Sequence, residues 1–213
     1  MLTLKPLKNI KDLPKIEELI NISQSIAMIE AILMPEWEFR YFSFNKNWDN
    51  NQYMASLRDG EGSHYYILFN INSKIDETDI ECLGKIYDKD SLVNDDIQNL
   101  IKPIDDFKLF LDEVAFENDD ATLYFYFNHH KNVWEAIPFE KNIPFLGVFK
   151  YREEAYIPWA EQYYEISIEK DTIKEFFEFK PLTQKMVSKL NSKLTIEDVL
   201  EDIYEIGYPY HIK

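Results

Sequence analysis

From Glu36 to Asp88, aromatic and β-branched side chains recur at every second position, and no other feature of this sequence constrains its fold as much. Successive side chains on a strand point to opposite faces, so a period of two marks a sheet. Runs of this kind, bounded by Asn, Asp and Gly, cover residues 37–45, 52–58, 64–70 and 82–87. Two more follow at 121–128 and 133–137, joined by the polar loop Asn128-His129-His130-Lys131-Asn132. About six strands are therefore predicted. Between the second and third, Asp59-Gly60-Glu61-Gly62 supplies glycines for positive backbone angles and signals a hairpin. A tight turn there would pair residues whose numbers sum to 121, setting Leu57 against His64 and Ala55 against Tyr66. Both faces of such a sheet carry apolar side chains, so it is covered on both sides over part of its area or presents aromatic surface to a partner.

Helical spacing brackets the sheet. Residues 12–34 place Ile16, Leu19, Ile20, Ala27 and Leu33 on one face, with Asp12 positioned to cap and Pro35 as the stop. Ile22, Ile26 and Ile29 widen the apolar stripe, which predicts a helix covered on more than one side. A helical stretch capped by Asn94 and interrupted by Pro103 runs to about Asn118, with Ile104, Phe107, Leu111 and Val114 on one face. An irregular stretch follows, whose Phe139, Phe145 and Phe149 must pack on something. Short helices fill the last third: 171–179, 183–190 and 195–206, the last opened by a Thr195/Asp198 capping pair and closed by Gly207. The expected fold class is α+β: a mainly antiparallel sheet with an N-terminal helix and a helical C-terminal lobe. The chain divides as a sheet domain over 1–150 with a helical lobe over 151–213 packed on it, or forms one single domain.

Hydrophobic residues at 46% and aromatics at 15% supply a core, which argues against disorder despite a formal charge of −16. That charge, with only Arg40, Arg58 and Arg152 as arginines, lacks the footprint of a nucleic-acid binder. Residues 76–120 hold 15 acidic groups and four lysines, so one stretch carries most of the excess. It reads as a solvated face or as a docking surface for a basic partner. The single cysteine, Cys82, allows no intramolecular disulfide and fits a reducing compartment, so a cytoplasmic location is expected. No signal-peptide pattern opens the chain, and residues 16–34 carry too many polar groups for a membrane span.

Candidate chemistry concentrates in two places. As a strand, residues 36–40 put Glu36, Glu38 and Arg40 on one side and Trp37 and Phe39 on the other. The polar side then changes near Tyr41, because Phe42 and Phe44 take the positions Glu and Arg had used, which implies a bulge or bend. Arg58 and Asp59 lie at one end of the hairpin beside Glu61, with Asp59 expected to bond turn amides and Arg58 to pair with Glu36 or Glu38. His129 and His130 point opposite ways, EF-hand spacing is absent, and neither a phosphate loop nor a dinucleotide fingerprint occurs, so no metal and no cofactor are expected. No nucleophile–base arrangement follows from spacing, and no catalytic residue is named.

The strings EWEFRYFSFN (36–45), Trp48, MASLRDGEG (54–62), YYILFN (65–70) and Gly84-Lys85 resemble a family of bacterial proteins of similar length with no established activity. PLTQKMVSKLN (181–191) and EDIYEIGYP (201–209) extend the likeness. The resemblance implies a bacterial cytosolic α+β protein and no catalytic residues. The leading functional expectation is an acidic protein-binding module of immunity or antitoxin type. It would dock a basic protein partner through Glu36, Trp37, Glu38, Arg40, Arg58, Asp59 and Glu61. The alternatives are a hydrolase-type enzyme using Glu36, Glu38, Arg40, Arg58 and Asp59, and a small-ligand-binding protein with an aromatic pocket.

Overall fold

The computed structural model describes residues 4–71, 80–91, 97–101 and 108–211. Its fold is α+β. Six antiparallel strands form one sheet in sequence order: β1 (Phe42–Asp49), β2 (Gln52–Arg58), β3 (His64–Asn70), β4 (Glu81–Tyr87), β5 (Leu123–Asn128) and β6 (Val133–Ile137). Around it lie α1 (Ile16–Leu33), α2 (Ile97–Ile101), α3 (Lys108–Asp112), α4 (Gly147–Tyr151), α5 (Glu153–Tyr163), α6 (Lys170–Phe177), α7 (Gln184–Leu190) and α8 (Leu200–Ile206).

One face of the sheet presents Phe42, Phe44, Leu57, Ile67, Phe69, Ile86, Phe125 and Trp134 to α1 and the C-terminal helices. Because α1 touches β1 on one side and α6, α7 and α8 on others, nearly its whole circumference is buried, as its wide apolar stripe predicts. Its few polar groups are used to dock neighbours. Gln24 donates to the carbonyls of Ile206 (2.8 Å) and Gly207, and Ser25 to that of Phe176 (2.7 Å). Residues before and after position 150 share this one apolar cluster. The second face is smaller: Met54, Leu68, Leu83 and Tyr124 pack against Ile97, Ile101, Phe110 and Phe116.

Several expectations need correction. The strand over 37–45 does not form as one piece. Residues Trp37–Phe39 make a 3-10 turn and β1 begins at Phe42, so the switch of polar side near Tyr41 marks the place where the chain enters the sheet. Asp12 does not cap α1. It closes a 3-10 turn (Ile10–Asp12) and pairs with Lys150 at 2.8 Å, while α1 starts after Lys15. The β2–β3 register sums to 122, pairing Arg58 with His64, Leu57 with Tyr65 and Ala55 with Ile67. The loop from Asp59 to Ser63 is odd in length, with Gly60 and Gly62 at positive φ, and Asp59 donates its N–H to the Ser63 carbonyl. Like parity thus faces like parity, and Tyr53, Ala55 and Leu57 share the helical face with Tyr65, Ile67 and Phe69. Phe149 is buried and Phe145 partly so, but Phe139 is 69% exposed.

The helical stretch read over 94–118 falls partly outside the described residues, and Asn94, Pro103, Ile104 and Phe107 are not described. Its described parts are α2, α3 and two 3-10 turns, Val114–Phe116 and Asn118–Asp120, with Val114 exposed. Asp76, Glu77, Asp79, Asp95, Asp96, Asp105 and Asp106 of the acidic stretch also lie outside the described residues. No described helix is long and apolar enough to cross a membrane.

Candidate functional site

The β2–β3 turn, the start of β1 and the end of α5 converge on a cleft of about 600 Å³. Its apolar wall contains Tyr41, Phe145, Trp159 and Tyr163, and its polar rim contains Asp59, Glu61, Asp88 and Asp90, with Lys89 as the one cation among the described residues. Among the described residues, four carboxylates against one ammonium put the lining at −3.

Each group reaches the cleft for a local reason. Asp59 opens the turn, and its Oδ1 accepts the Glu61 N–H at 2.8 Å, the Asx bond expected from the sequence. Glu61 accepts from the Lys89 Nζ at 2.8 Å, and that bond holds its exposed carboxyl below the usual range. Asp88 starts the turn after β4, accepting from the Asp90 N–H at 3.2 Å and the Ser91 hydroxyl at 2.7 Å. Among the described residues the Asp90 carboxylate itself makes no hydrogen bond or ion pair, though its charge acts on Lys89.

The wall is a stack of rings. Tyr41 lies 4.5 Å from Trp159 and 5.4 Å from Tyr163, and Trp159 stacks on Tyr163 at 5.2 Å with 18° between planes. Trp159 and Tyr41 are buried, whereas Tyr163 is 42% exposed. One face of Tyr163 is therefore covered by the indole. Behind the wall, Glu30 sits in the last turn of α1 with no exposure. It accepts the Tyr41 N–H at 3.0 Å, the Tyr156 hydroxyl at 2.6 Å and the Tyr164 hydroxyl. Burial pushes its carboxyl up from the ordinary value, and these donors pull it back in part. Burial also drives the Tyr41 and Tyr163 phenols upward, with the charge of Glu30 adding to both.

The residues predicted from the sequence scatter. Asp59 and Glu61 line the cleft. Arg40 does not. It is buried and donates to Asp202 Oδ1 (2.5 Å) and Oδ2 (3.1 Å) and to the Met34 and Pro35 carbonyls, pinning the turn to α8. Arg58 pairs with neither Glu36 nor Glu38 and instead lies 4.2 Å over the Trp37 ring. Glu36 and Glu38 are exposed on the 3-10 turn, and Trp37 is 51% exposed beside them. Residues 36–40 are not a strand, so Arg40 turns inward away from the exposed Glu36 and Glu38, and of the five grouped residues only Asp59 lines the cleft.

A second polar cluster escaped sequence reasoning. The fully buried Lys85 Nζ donates to the Phe116 carbonyl (2.6 Å), the Glu117 carbonyl and Asp120, with His64 Nε2 at 3.2 Å. His64, Glu117 and Asp120 have the donor types and closeness of a metal triad. The Lys85 ammonium already lies against His64 Nε2 and Asp120 in that group, so a positive charge there is the protein's own. Burial, and then Lys85, hold the His64 imidazole below its ordinary value. Spacing could not have flagged this cluster, since its members come from β3, β4 and the 3-10 turn before β5.

No family model, curated protein or solved structure matches this chain.

Proposed function

We propose that the protein is an acidic binding module that docks a basic protein partner, with the cleft beside the β2–β3 turn as its receiving site. The observation that carries this reading is the pairing, in one concavity, of an aromatic wall with a rim at −3. Aromatic faces and carboxylates both attract cations, and partial enclosure strengthens each. The surrounding charge of −16 would accelerate encounter with a basic partner and orient it. Lys89 offers little opposition because Glu61 holds it. An immunity or antitoxin type of protein, acting in the cytoplasm on a basic toxin, would use such a site, and the lone buried Cys82 is in keeping with that compartment.

A hydrolase reading built on Glu36, Glu38, Arg40, Arg58 and Asp59 finds only Asp59 at the cleft. The volume favours one second reading, a small cationic ligand, since about 300–1,000 Å³ is usual for small-molecule sites.

The test is a pull-down with the intact chain beside an Asp59→Asn/Asp90→Asn variant, which keeps the turn acceptor and removes two charges. The expected result is a basic protein retained at low salt, released as salt rises, and lost on the variant. Retention that is indifferent to salt and to the variant contradicts the reading. Saturable binding of a free polyamine without any basic protein partner favours the second.

A further inference from the structure

We infer that the Trp37–Phe39 turn is a second contact of the docking surface, and that the basic partner covers it with an apolar hollow ringed by cations. The inference rests on the docking reading above and carries the partner's footprint past the cleft onto this turn.

Five consecutive residues, Pro35 to Phe39, are exposed between α1 and β1. Two of them are large aromatics, Trp37 at 51% and Phe39 at 58% exposed. Scattered apolar side chains are ordinary on a surface, but two such rings on one short turn make a patch. The turn is held from behind. Arg40, buried, donates to the Met34 carbonyl at 2.8 Å, the Pro35 carbonyl at 2.7 Å and both oxygens of Asp202, which ties the two ends of the turn to each other and to α8. Arg58 supports the Trp37 ring at 4.2 Å. Rings fixed before binding lose less freedom on association, and exposed tryptophan on a firm base is the usual form of an interface anchor. The turn also adjoins the cleft: Arg58 donates its backbone N–H to the Tyr41 carbonyl at 2.9 Å, and the next residue, Asp59, stands on the rim. One partner can therefore meet both.

Charge selects the occupant. Glu36 and Glu38 flank Trp37 and are exposed, so the rings stand in a negative surround. A second copy of this chain would set these carboxylates against their own kind, with a net charge of −16 on each molecule, and an anionic bilayer would be repelled for the same reason. A basic protein with an apolar hollow matches both features. Its cations meet Glu36 and Glu38 at the margin, and the hollow takes Trp37 and Phe39 out of water. The two kinds of contact then act at different stages. Carboxylates of the cleft and the turn steer encounter and weaken with salt, whereas the rings slow dissociation and are indifferent to it.

The test takes as its probe the basic protein retained in the pull-down, purified, and measures its binding to the full chain by calorimetry at about 0.05 and 0.15 M salt. Trp37→Ala should weaken binding about thirtyfold and Phe39→Ala about tenfold, each by the same factor at both salt concentrations. The loss in Glu36→Gln/Glu38→Gln should instead shrink as salt rises. Wild-type affinity in both ring variants, with the probe still released by salt, overturns the inference and leaves the docking reading standing. Failure of any basic protein to be retained removes both. Should Trp37→Ala not fold, Phe39→Ala decides together with fluorine NMR of the full chain carrying fluorotryptophan. The resonance assigned to Trp37 through Trp37→Phe should shift when the probe is added, and an unmoved resonance overturns the inference. Sedimentation of the chain alone checks the rival occupant: self-association that disappears in the ring variants would mean that a second copy covers the turn, which overturns it as well.

Discussion

Lys85 shows how a single residue can join two parts of this fold. Its ammonium links β4 to the turn at Phe116–Asp120 through two carbonyls and one carboxylate, and no part of its surface reaches water. Removing one partner of a buried pair leaves the others uncompensated, so Lys85→Met should lower the unfolding free energy by roughly 3 kcal/mol, measured by urea titration. His64 gives the cluster a pH dependence. Its folded-state value is depressed, so the unfolded chain binds its proton more readily, and stability should rise with pH up to about 6.5, the ordinary histidine value. Urea midpoints of wild type and His64→Gln across that window should diverge as the pH falls, with wild type losing more. Parallel curves would mean that His64 does not titrate against Lys85.

Among the elements, β4 depends on a glycine in a way its neighbours do not. Gly84 pairs across the sheet with Phe125, and a Cβ at position 84 would stand 2.1 Å from the end of that ring. Phe125 is fully buried, so the ring can move only by displacing the core. Gly84→Ala should therefore destabilise the protein by about 1–3 kcal/mol in a thermal or urea melt, even though alanine is the smaller disturbance elsewhere on a strand. Alternation alone was enough to read β2, β3, β4, β5 and β6 to within about two residues at their ends. It misled at residues 36–41, where Trp37 and Phe39 continue the pattern in sequence but stand exposed on a 3-10 turn. Only burial separates those two environments, and burial is set by α8 holding Arg40 through Asp202. The hairpin register slipped by one for a related reason: the glycines announce a turn, but loop parity depends on how Asp59 and Ser63 close it.

For the whole molecule, three described residues of the acidic stretch go to two separate uses. Asp88 and Asp90 join Asp59 and Glu61 at the cleft, whereas Asp120 turns inward to Lys85 on the other side of the sheet. The sequence made the hairpin end legible as a candidate site, because Asp59 and Glu61 are neighbours there. Tyr41, Phe145, Trp159 and Tyr163 come from distant stretches, and only the packing of α5 against the start of β1 brings them to the same wall. The most direct test of the docking claim is an amide NMR titration of the full chain with a short basic peptide rich in arginine and lysine. The account predicts shifts concentrated at Tyr41, residues 59–63, 88–90, Phe145 and 159–163. Shifts centred on residues 108–120, or spread evenly over the acidic surface, would contradict it.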